Sequence, residues 1–159
     1  MYKKLVRYDQ NHYVEVDLVR LKRMAIKLRD QIYKKISKDK DIFQFYSYTL
    51  PLVDAAIRGE IIQSLDKDAT KFINANFKWN EREGTLPSEY DSEFEDALAG
   101  FSVSARGLSL VETEDVVIDG ITYGWLDFEE ESDWPDEVLR LEEERRRKRM
   151  GADYVPVKR

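Results

Sequence analysis

The sequence predicts an α+β fold, with N-terminal helices packed against a small antiparallel sheet in the second half and a charged C-terminal helix. Three features carry that expectation. Apolar residues recur at helical spacing from Leu18 to Ile32, and an Asp119-Gly120 pair splits two β-branched runs. Glu142, Glu143 and Glu144 each stand four residues before Arg146, Arg147 and Lys148, the favourable order for ion pairs along a helix. A chain of 159 residues with 42% hydrophobic content can bury one core, so residues 1–151 are read as a single domain and 152–159 as a C-terminal tail.

In chain order, Leu5, Val6, Tyr8, Tyr13 and Val14 alternate loosely, as in a short strand or an extended lead-in. The period changes at Asp17. Leu18, Leu21, Ala25, Leu28 and Ile32 step by three and four and predict a core-facing helix over 16–38. Asp17 sits at its positive end, and Lys34, Lys35 and Lys38 at its negative end. The aromatic-rich stretch 42–48 follows, as a helical turn or a buried connection. Thr49 with Pro51 in the first turn opens a second helix, whose face Val53, Ala56, Ile57, Ile61 and Leu65 runs through Gly59. Asp68 is placed to cap a third helix carrying Phe72, Ile73 and Phe77, and residues 80–87 read as a loop around Gly84 and Pro87.

Ser92 and Glu95 have capping-box spacing, so Phe94, Ala97 and Leu98 predict a short helix that Gly100 ends. After it Phe101, Val103 and Ala105 alternate with the period of a strand. Asp119-Gly120 predicts a type I′ hairpin that sets Ile118 opposite Ile121 and Val116 opposite Tyr123. Trp134-Pro135 opens the last helix, with Asp133 as its cap and Gly151 as its stop.

Charge is strongly segregated. Net charge is −6, yet residues 1–40 hold 12 Lys/Arg against 5 Asp/Glu, residues 81–144 hold 3 against 21, and residues 145–159 hold 7 against 1. With no cysteine there is no disulfide, thiolate metal site or cysteine nucleophile, and a reducing, cytoplasmic setting is expected. Neither a secretory leader nor a membrane span is expected, because the longest uncharged run, 42–53, is short and holds Pro51.

Catalytic signatures are thin. His12 is the single histidine and reads as an edge or surface residue rather than a base or ligand. No Gly-x-Ser-x-Gly elbow is present, nor either of the common phosphate-cradling glycine motifs, and no cofactor is expected. The acidic triplets Glu93/Glu95/Asp96, Glu112/Glu114/Asp115 and Glu129/Glu130/Glu131 lack the spacing of a calcium loop and read as solvated surface.

Three functions remain in view. The favoured one is a non-catalytic binding protein that neutralises a basic partner protein, of inhibitor or immunity type, such as one that blocks a nuclease toxin. Its expected partner-binding residues are Glu112, Glu114, Asp115, Trp125, Asp127, Glu129, Glu130, Glu131, Asp133 and Trp134, where large rings are embedded in an acidic run without lysine or arginine. The bland reading of that run turns the rings inward and the acids outward. The second function is a nucleic-acid-associated or phage-type accessory protein using the basic helix 17–38 and Arg145–Arg149. In that case the bland reading makes the basic helix an internal counter-charge to the acidic block. A small carboxylate or metal-dependent enzyme is third.

Overall fold

A computed structural model describes residues 1–9, 12–38, 49–66, 92–108 and 114–154. The class is α+β. Strands β1 (Tyr2–Asp9), β2 (His12–Tyr13), β3 (Asp115–Ile118) and β4 (Ile121–Phe128) form one antiparallel sheet in the order β2-β1-β4-β3. The helices are α1 (Leu18–Lys38), α2 (Thr49–Ile57), α3 (Ser92–Ala105) and α4 (Asp136–Met150), with 3₁₀ turns at Glu131–Asp133 and Gly151–Asp153. The expectations for 42–48, Asp68 to Phe77 and 80–87 lie outside the described residues.

The hairpin forms as its turn residues require. Asp119 and Gly120 both have positive φ, +50° and +79°, which is the type I′ conformation, and Ile118 pairs with Ile121 and Val116 with Tyr123. The sheet extends beyond that hairpin. The N-terminal segment is the strand of its two possible forms, and it lies along β4 with Leu5 opposite Trp125 and Val6 opposite Gly124. Beneath it Val6, Tyr13 and Phe128 make a small buried cluster.

The larger core lies among α1, α2 and α3. Leu21, Ala25, Leu28 and Ile32 are buried as their spacing predicts, and Ile26 joins them. Leu18, the first residue of α1, departs from the stripe at 44% exposure. Asp17 caps α1, its Oδ1 accepting from the backbone N–H of Val19 at 3.1 Å and of Arg20 at 3.0 Å.

Three element boundaries differ from expectation. Helix α2 stops at Ile57, because Gly59 adopts φ +73° and turns the chain into an extended run whose Gln63 bridges Glu15. Helix α3 does not end at Gly100 but continues to Ala105, so Phe101 and Ala105 extend the buried helical face of Phe94, Ala97 and Leu98. Gly100 is there for packing: a Cβ on it would lie 2.7 Å from Met24 Sδ, so the glycine lets α3 approach α1 closely. Asp133 does not cap α4, which Pro135 precedes without a side-chain cap. Gly151 does stop α4, with φ +56° and its N–H bonded to the Arg147 carbonyl.

Candidate functional site

Strand β4 is an interior strand, so its residues are flanked on both sides. Alternation puts Trp125, Tyr123 and Ile121 on the face opposite buried Gly124 and Phe128. Register adds Leu5 and Arg7 from β1 and Val116 and Ile118 from β3 to that outer face. An apolar stripe results, in which Trp125 and Ile118 are each 46% exposed. Of the expected binding residues, Glu114, Asp115, Asp127 and Glu130 are also exposed, but register sets Asp127, opposite Lys3, on this outer face and Asp115, opposite Gly124, on the other. Among the described residues, Glu114, Asp115 and Asp127 enter no ion pair.

The other expected site residues point elsewhere. Trp134 is buried at 5% and packs as a core ring, so it is not a surface hot spot. The Glu129 side chain is 13% exposed and is held by Arg23 and by Arg20, whose Nε donates to Oε1 at 3.3 Å. Its backbone N–H donates to Asp17 Oδ2 at 2.8 Å, which ties the end of β4 to the start of α1. Glu131 accepts from Arg146 at 2.8 Å. Asp133 faces the Met1 amine at 2.6 Å and accepts from the Glu130 N–H at 3.0 Å, contacts that hold its carboxyl below the usual range. Glu112 lies outside the described residues.

The basic segments are engaged as counter-charges. Lys22 on α1 sits 2.8 Å from Oε1 of Glu142 on α4, a carboxylate only 1% exposed. Arg146 Nε and Arg149 approach the same oxygen at 3.5 and 3.9 Å, as charge pairs rather than well-directed hydrogen bonds. Arg145 donates to Asp30 at 2.7 Å, and Arg29 faces Asp54 at 3.2 Å. Burial pushes the Asp30 carboxyl above its ordinary range, against the pull of Arg145. The i,i+4 spacing of Glu142 and Arg146 predicts a pair along the helix but not the burial of the carboxylate. The signal that places it inward is spacing: Val138, Leu141, Glu142 and Arg145 fall on one face of α4.

His12 is half-buried on short β2 opposite Asp9. Among the described residues, no group of three or more His, Cys, Asp or Glu is arranged to hold a metal ion, and no helix is long and apolar enough to cross a membrane. No family model, curated protein or solved structure matches the chain.

Proposed function

We propose that the protein is a non-catalytic binding protein that docks a basic partner protein on the outer face of its sheet, around Trp125. The observation that carries this reading is a large ring 46% exposed at the middle of an interior strand, with Asp127, two residues on along the same face, entering no ion pair among the described residues. A rigid strand holds such a ring at little entropic cost, and unpaired carboxylates attract a basic surface. Glu129, Glu131 and Asp133 hold the fold together in this arrangement, which leaves Glu114, Asp127 and Glu130 to meet the partner. Inhibition of a basic enzyme, such as a nuclease toxin, is the concrete form of the proposal. The test is parallel affinity capture from native lysate with the wild type and Trp125→Ala. A basic protein retained by the wild type, lost with the variant and released by salt supports it. Equal capture by both proteins, or capture of nucleic acid alone, overturns it.

One observation favours the second reading. Arg29 and Tyr33 of α1 and Arg145, Lys148 and Arg149 of α4 line one groove of about 410 Å³, so the two basic segments meet in space. Arg29 and Arg145 are committed to Asp54 and Asp30, which leaves that groove less cationic than its composition suggests.

A further inference from the structure

Strand β3 is an outer strand of the sheet, and among the described residues its far edge pairs with nothing. Register fixes which backbone groups that edge presents. Ile118 and Ile121 flank the two-residue turn, and residues in that position exchange backbone hydrogen bonds. Bonded and non-bonded pairs alternate along an antiparallel ladder. Val116 therefore bonds Tyr123, whereas Val117 and Asp115 turn their N–H and C=O groups away from β4. The side chains beside these groups are open too. Val117 is 66% exposed, and Glu114, Asp115 and Asp119 are exposed acids. No lysine or arginine occurs across residues 107–139.

We propose that the β3 edge takes an extended basic segment of a partner protein as a fifth strand, held by the outward backbone groups of Asp115 and Val117. The proposal rests on the basic-partner reading above and adds to it a second contact, separate from Trp125. Main-chain bonds supply the pairing, and side chains at alternate positions select the segment. On the outer face the added strand continues the apolar row of Val116 and Ile118, which suits β-branched residues. On the other face it runs beside Asp115, with Glu114 and Asp119 at the two ends of β3, which suits lysine or arginine. A second copy of this chain fits worse. Antiparallel pairing centred on Val117 would set Asp115 of one copy opposite Asp119 of the other, and like charges directly opposite are unfavourable.

The test is amide hydrogen exchange by ¹H–¹⁵N NMR on the full chain, titrated with a peptide of alternating lysine and valine. At about 90% saturation the amides of Asp115 and Val117 should exchange about tenfold more slowly, while Val116 and Ile118 change little. Lysines on the Val117 side turn their own backbone N–H groups toward β3. Methylating the lysine backbone nitrogens should therefore abolish binding, and methylating the valine nitrogens should not. A peptide with glutamate in place of lysine should not bind. Val117→Pro should remove binding and keep the hairpin, because the N–H it loses is the outward one. The methylated peptides keep the test decisive should that variant not fold. Trp125→Ala should leave the titration as it is, so failure of the edge and failure of the Trp125 face are read separately. No slowing at Asp115 and Val117, or equal binding by the lysine-methylated or glutamate peptide, would overturn the proposal. Slowing of both amides in the free protein that grows with protein concentration would assign the edge to a second copy and overturn it as well.

Discussion

At Gly107 a single missing Cβ joins two parts of the fold. Its carbonyl accepts from the Tyr13 N–H at 2.7 Å, its φ is +63°, and a Cβ there would collide with the Tyr13 carbonyl oxygen. Gly59 has φ +73° but open space around it. Gly107→Ala is therefore expected to cost more than Gly59→Ala, which carries the left-handed penalty of about 1–2 kcal/mol alone. Urea midpoints of the two variants check this, and equal midpoints would refute it. Glu142 offers a second test at this scale. Removing its charge leaves Lys22 and Arg146 facing a part-buried site without an anion, so Glu142→Gln should destabilise by about 3 kcal/mol. Adding Lys22→Met should recover part of the loss, because the two residues are coupled; strictly additive effects in the double-mutant cycle would show that they are not.

Helix α4 is held differently from α1, α2 and α3. They share a continuous apolar core, whereas α4 buries Val138, packs a partly buried Leu141 against that core, and adds ionic contacts to α1 and the 3₁₀ turn through Glu142, Arg145 and Arg146. Asp30 carries the pH dependence of this contact. Its folded pKa is raised by burial, so the native state takes up that proton at a higher pH than the unfolded chain. Its contribution to stability is thus fully present below the unfolded pKa and is lost as pH rises through the folded pKa. A ¹³C carboxyl titration should place Asp30 above free aspartate, and a midpoint at or below the free value would overturn the sign. Elements set by local chemistry, the Asp119-Gly120 hairpin and the Asp17-capped α1, were legible in the sequence. The end of α3 was not, because Phe101 and Ala105 fit both a two-residue and a helical period. Contact between Gly100 and Met24, distant in sequence, shows the packing role of the glycine that was read as a stop. The acidic candidate site was legible as composition only: nothing local reveals that Glu129 folds back onto Arg20 and Arg23 while the Asp127 carboxylate enters no ion pair among the described residues.

Across the whole molecule, segregated charge serves two purposes, and mutations should separate them. Much of the basic N-terminal and C-terminal charge is spent inside, on Glu129, Glu131, Glu142, Asp30 and Asp54. Beside the exposed stripe of Trp125, Ile118 and Ile121, Glu114 and Asp127 are exposed and enter no ion pair among the described residues. Reversal of an engaged acid and reversal of a free one should therefore differ in kind. Glu129→Lys places a cation beside Arg20 and Arg23 and should lower the melting temperature, with any loss of partner binding following from the damaged fold. Glu114→Lys breaks no ion pair among the described residues, so the melting temperature should hold while association with a basic partner slows and loses part of its salt dependence. Trp125→Ala removes contact area rather than charge and should act on dissociation, by about 2 kcal/mol for a central hot-spot ring. On- and off-rates for the three variants at two salt concentrations, with thermal melts alongside, resolve these effects. If Glu114→Lys and Trp125→Ala leave both rates unaltered, the outer sheet face is not the docking face, and the groove between α1 and α4 becomes the surface to mutate next.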